Sequence, residues 1–184
     1  MSIKNQLNII NEDGKIIGQE TRENIHKNGL LHREIHVWFY VPKGEIIFQH
    51  RAKNKDTYPD FLDATVGGHV EEGEDYETAA IKEVKEETGV SLLKENLHLI
   101  KMVRNVSHDK ITGNINNVIR AIYTYKYEGK IEDLKIEEGK ALGFEAWPLE
   151  KIFNISTQDK KKFIPSILNE EVFQIFKKIQ NIFK

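Results

Sequence analysis

The sequence predicts an α/β (α+β) fold, a mixed β-sheet with helices on its faces. Along 184 residues, β-rich runs alternate with helical ones, but without a regular βαβ rhythm. From Asp75 to Thr88 a capping residue, an acidic first turn and Gly89 just past the end define one firm helix. Near the carboxy terminus Val172, Phe173, Phe176, Ile179 and Phe183 recur at helical spacing, giving an amphipathic helix over 169–184. No repeat, low-complexity tract or linker interrupts the chain, so residues 1–184 read as one domain.

The remaining elements follow in order. Leu7–Ile10 and Lys15–Gly18 flank Asn11-Glu12-Asp13-Gly14, a turn signal that predicts a hairpin over 6–18. Thr21 caps a short helix reaching Lys27. His36–Val41 and Glu45–Gln49 form a second hairpin around Pro42-Lys43-Gly44. Arg51–Asp63 reads as a loop, and Ala64-Thr65-Val66 as a buried strand ending at Gly67-Gly68. Strands are expected over 97–106, 117–127 and 142–147, with Pro148 opening a short helix at its first position.

Composition removes several classes of function. Lysine plus arginine is 27 and aspartate plus glutamate 29, a net charge of −2, which argues against coating a nucleic-acid polymer or an anionic membrane. Cysteine is absent, so disulfides, thiolate metal sites and cysteine nucleophiles are excluded. The sequence lacks an apolar run long enough to span a bilayer and a signal-peptide core, and a cytoplasmic protein is expected.

Glu83, Glu86 and Glu87 lie at i, i+3 and i+4, within an arc of about 100° on one helix face. Like charges at that spacing repel, and the helix dipole disfavours anions near its C-terminus. Local rules broken twice over point to function. A hard divalent cation, Mg²⁺ or Mn²⁺, repairs both faults with oxygen ligands, while an ordinary solvated acidic face is the alternative.

Gly68, five residues, Glu74, seven residues, then Lys82-Glu83-Val84-Lys85-Glu86-Glu87-Thr88-Gly89-Val90 resembles the Nudix box, Gx5Ex7REUxEExGU, over residues 68–90. Lys82 in place of arginine is the one departure. The resemblance implies an α/β/α sandwich that hydrolyses a diphosphate bond in substrates of the type nucleoside diphosphate linked to X, using Mg²⁺ or Mn²⁺. It implies Glu83 and Glu87 as principal metal ligands, with Glu86 sharing the cluster and the Gly68 carbonyl as a further ligand. Glu83 and Glu86 carry the catalytic assignment, Glu86 as candidate base, with Glu137, Glu138 and Glu145 as other candidates. Glu74 and Lys82 brace the loop and helix. Lysine offers a point charge where arginine offers a fork, so looser bracing is expected.

His26, Leu31-His32, Arg51-Ala52 with Lys55, Pro59 and Gly68-His69 resemble the isopentenyl-diphosphate isomerase branch of the superfamily. In those isomerases, matching histidines (26, 32, 69) bind a metal, and basic residues matching Arg22, Arg51 and Lys55 hold the diphosphate. Here Gly67 stands where the isomerase cysteine is, and Ile115 and Asn117 fall where its later glutamates are, so the chain resembles a hydrolase on an isomerase-like scaffold. Arg51, Lys55 and His69 are the expected substrate contacts. His36, His50, His98 and His108 receive no role, and Tyr58, Phe61 and Trp147 are read as core. A small diphosphate is the expected partner, and the chain a monomer or homodimer. A non-catalytic nucleotide-binding or regulatory protein is the alternative, an isomerase the remote one.

Overall fold

The computed structural model describes residues 6–183. The amino-terminal hairpin forms as expected: β1 (Gln6–Ile10) pairs antiparallel with β2 (Ile16–Thr21) in a sheet of its own. Thr21 then caps α1 (Arg22–Asn28), accepting from the Asn24 N–H at 3.3 Å.

The main sheet is seven-stranded and mixed. β3 (His32–Val41) lies at its centre, parallel to β8 (Ile115–Lys126) on one side. On the other side it is antiparallel to both β4 (Glu45–Arg51) and β6 (Val66–His69). β5 (Leu62–Asp63) and β9 (Ala141–Pro148) pair with β4, and β7 (Leu97–His108) pairs with β8 at the edge.

Period-two alternation in β3 and β4 builds two cores at once. Ile35, Val37, Phe39 and Ile47 point to one face, where Ala79, Ala80 and Val84 of α2 (Tyr76–Thr88) pack on them. Trp38, Tyr40, Ile46 and Phe48 point to the other. There they meet α3 (Leu149–Phe153), the segment after α4 (Thr157–Lys160), and α5 (Glu170–Ile182) through Leu149, Ile152, Phe163, Phe176 and Ile179. The result is three layers, helix on sheet on helix. Among the described residues no helix is long and apolar enough to cross a membrane.

Several details differ from the sequence expectation. Gly67 and Gly68 lie within β6, paired with His36 and Ile35, because strand pairing with β3 continues through them. Pro148 ends β9 and precedes α3 as its N-cap residue. The expected terminal helix runs Glu170–Ile182 from an Asn169 cap, and Lys184 lies outside the described residues. His36 stands edge-on to Trp38, and burial lowers its pKa to about 3. Trp147 is buried and Phe61 packs on its cluster, but Tyr58 is exposed on a loop whose backbone turns left-handed at Tyr58 and Asp60.

Candidate active site

The acidic face of α2 is held in place from both ends. Asp75 caps the helix, accepting from the Thr78 N–H at 2.7 Å, and Gly89 closes it in the left-handed region at φ 72°. Ala79, Ala80 and Val84 anchor it to the sheet. That docking carries Glu83 and Glu87, one turn apart, into the interior at 8% and 5% exposure, and leaves Glu86 on the exposed flank.

Burial is the main influence on both interior carboxyls, raising each to about 7, with the Lys140 ammonium pulling the other way. Gln49 Nε2 donates to Glu87 Oε2 at 3.1 Å, and Lys140 Nζ lies 3.7 Å from Glu87 Oε1. Gly68 borders Glu83 so closely that a Cβ there would lie 2.6 Å from Glu83 Cγ and 2.7 Å from Oε1. Only glycine lets the Glu83 carboxyl approach the strand backbone so closely.

Lys82 reaches back to the loop before the helix. Its Nζ lies 2.8 Å from Glu74 Oε1 and 2.9 Å from Glu71 Oε2, while the Glu71 N–H donates to Glu74 Oε2 at 3.1 Å. Burial opposes the charge on Lys82, but the two carboxylates raise its pKa above the ordinary lysine value. A single ammonium thus bridges two acids at the position where the box pattern has an arginine fork.

The basic residues divide. The Arg51 guanidinium is occupied: it pairs with Asp63 at 3.0 Å and donates to the carbonyls of Thr57 at 2.9 Å and Tyr58 at 3.2 Å. Those contacts make Arg51 a clamp on the loop after β4. Lys55 has no carboxylate within 4 Å among the described residues, and burial followed by Arg51 and Lys140 lowers its pKa. Among the base candidates, Glu145 opposes Phe48 in the ladder and therefore faces the α5 layer, away from α2, and it accepts from Trp147 Nε1 at 3.1 Å. Glu137 is paired with Lys140 at 2.8 Å, and Glu138 is exposed.

His26, His32 and His69 meet at the far end of β3 and β6. Their ligand nitrogens lie within 4.8 Å of one another, and among the described residues they form the sole such group. His26 Nε2 is 3.1 Å from His69 Nε2. His32 Nδ1 donates to the Leu30 carbonyl at 2.9 Å, a tautomer inferred from that acceptor, and this leaves its buried Nε2 without a partner. Burial lowers all three pKa values, that of His69 to about 3.

Sequence reasoning missed Gln49, Lys140 and Glu71. Gln49 had a signal, because it continues the α2-facing positions of β4 after Ile47 with a polar residue. Lys140 and Glu71 sit in loops, where periodicity carries no information.

A family model described as the NUDIX domain matches residues 30–167. An uncharacterized Nudix hydrolase of Clostridium acetobutylicum is 31% identical over 140 residues, covering 74% of this chain and 66% of that relative. The chain spans about half the length of the next relatives. The crystal structure of DR0079 from Deinococcus radiodurans superposes with a TM-score of 0.68 at 19% identity, covering 94% of this chain and 98% of that one. The NUDIX domain of Shewanella oneidensis NrtR, complexed with ADP ribose, gives a TM-score of 0.57 at 14% identity, covering 84% and 89%.

Proposed function

The chain belongs to the Nudix family, and from that premise we propose that it hydrolyses a diphosphate bond in a nucleoside-diphosphate-linked or related small molecule, with Mg²⁺ or Mn²⁺ bound on Glu83 and Glu87. The observation that carries this reading is the pair of buried carboxylates beside glycine backbone. A divalent cation suits the donor set: two interior carboxylates share one nearby ammonium, and the missing Gly68 side chain lets the Glu83 carboxyl lie against the strand backbone. The ADP ribose held by the Shewanella domain supports a substrate of this class.

In this reading Glu83 and Glu87 hold the cation, with the Gly68 carbonyl as a third oxygen. When bound, it supplies positive charge against diphosphate oxygens and makes a water more acidic. The remaining work falls to the chain. Lys82 fixes the loop through Glu74 and Glu71, so the glycine backbone and the acid pair keep one geometry. Lys55, with no carboxylate within 4 Å among the described residues, adds positive charge near Glu87 and Lys140 for an anionic substrate. Glu86, exposed beside the pair, takes the proton of the attacking water as that oxygen bonds to phosphorus and the bridging P–O bond breaks. Arg51 stays with its loop, and His69 with the other two histidines.

A phosphate-product screen over nucleoside polyphosphates, nucleotide sugars, dinucleotides and isopentenyl diphosphate tests the assignment. One class is expected to turn over, with at least about a hundredfold loss in Glu87→Gln and no loss of fold. Tight binding of a nucleoside diphosphate without product would replace the enzyme by a binding protein. Hydrogen exchange from solvent into isopentenyl diphosphate would replace it by an isomerase.

The unpartnered Nε2 of His32 favours one addition: His26, His32 and His69 hold a second metal ion of imidazole preference. Cobalt absorption bands should then persist in Glu87→Gln and vanish in His32→Ala. Bands lost in Glu87→Gln would refute that site.

A further inference from the structure

Lys140 joins the acid pair to the loop before β9. Its Nζ lies 3.7 Å from Glu87 Oε1 and 2.8 Å from Glu137 Oε2. The backbone beneath it is pinned: its N–H donates to the Glu137 carbonyl at 3.0 Å, and its carbonyl accepts from the Ala52 N–H at 3.1 Å. Only the side chain is therefore free to swing, on a flexible four-carbon stem.

The charges around it do not balance. Among the described residues, Lys140 is the one basic side chain within 4 Å of Glu87, and Glu83 has none. Two interior carboxylates and one ammonium leave an excess negative charge when both acids are ionised. A divalent cation compensates the pair better than an ammonium does. Two cations on one carboxylate repel, which favours release of the ammonium, the partner whose side chain is 38% exposed. Glu137 gives the ammonium a second partner already in contact, its residue half-buried and its Oε2 shielded from water.

We propose that Lys140 is the counter-ion standing in for the cation in the metal-free protein, and that cation entry displaces its ammonium from Glu87. Glu137, already 2.8 Å away, then holds the released ammonium. This rests on the cation reading of Glu83 and Glu87 given above. Lys140 acts as a gate on cation entry, a role that no sequence pattern marks.

The test follows Lys140 itself. Acylation by an amine-reactive ester, read by mass spectrometry with exposed Lys110 as internal reference, is run with and without Mn²⁺, and free Mn²⁺ is counted by paramagnetic resonance. Saturation with Mn²⁺ should speed acylation of Lys140 at least about threefold. Lys140→Gln, its fold checked by circular dichroism, should bind Mn²⁺ about tenfold more tightly, because the competing charge is gone. Mn²⁺ bound at the acid pair with unchanged or slower acylation of Lys140 overturns this proposal and leaves the cation reading standing, even if Lys140→Gln binds more tightly through charge alone. Failure of the native chain to bind Mn²⁺, or equal binding by Glu87→Gln, overturns the cation reading and this proposal with it.

Discussion

Burial of Glu83 and Glu87 sets the pH behaviour of the metal-free protein. In the folded chain both carboxyls are raised to about 7, while the unfolded chain keeps the ordinary value near 4.5. Between those values the folded state holds more protons, so stability falls as pH rises through the window. With a chelator present, the melting temperature should therefore decline between about pH 5 and about pH 8. Added Mn²⁺ should abolish the decline, because the cation binds the ionised pair, and Glu87→Gln should flatten it. A chelated native protein whose melting temperature does not fall over that range would contradict the burial of the pair. At this scale the spacing of Glu83 and Glu87 was legible from helix geometry, and Gly68 was singled out by the family resemblance. The close approach of Glu83 that requires glycine there was not legible, because it depends on how α2 docks on β6. The occupation of Arg51 by Asp63, Thr57 and Tyr58 was not, because it depends on how the loop folds back over the strand.

At the scale of elements, α2 and the loop before it behave as one unit through Lys82. Replacing Lys82 with Met should cost about 1 kcal/mol, since its contacts with Glu74 and Glu71 are only partly shielded. It should lower kcat more than it raises KM, because the loop positions Gly68 rather than the substrate. Lys82→Arg should restore both, and urea unfolding with steady-state kinetics checks each. Equal kinetics in native and Lys82→Met would separate the brace from the site. The helix was readable from its Asp75 cap to its Gly89 stop, and the hairpins from their Asp-Gly and Pro-Lys-Gly turns. The extent of β6 was misread because a Gly-Gly pair normally weakens a strand, whereas here the antiparallel ladder to β3 runs on through it.

Over the whole molecule, one sheet serves two cores, and the site belongs to the α2 side alone. Phe176 of α5 packs against Trp38 and Phe48 on the opposite face, at ring distances of 4.9 Å and 6.1 Å. Phe176→Ala should destabilise the fold by about 3–5 kcal/mol in urea unfolding while leaving Mn²⁺ affinity of the folded protein within about twofold. A large loss of affinity would mean that the two layers are coupled through the sheet. The mixed, layered architecture was legible from the irregular alternation of strands and helices. The parallel pairing of β3 with β8 was not, since it joins segments far apart in sequence through backbone hydrogen bonds that leave no local pattern.

The most direct test titrates Mn²⁺ against phosphate-product release from ADP ribose and the rest of the substrate panel, in the native chain and in Glu87→Gln. Release that rises and saturates with Mn²⁺ in the native chain, and falls at least about a hundredfold in the variant, is the predicted result. Release independent of Mn²⁺, or retained in Glu87→Gln, would contradict the assignment of the buried acid pair as the metal site.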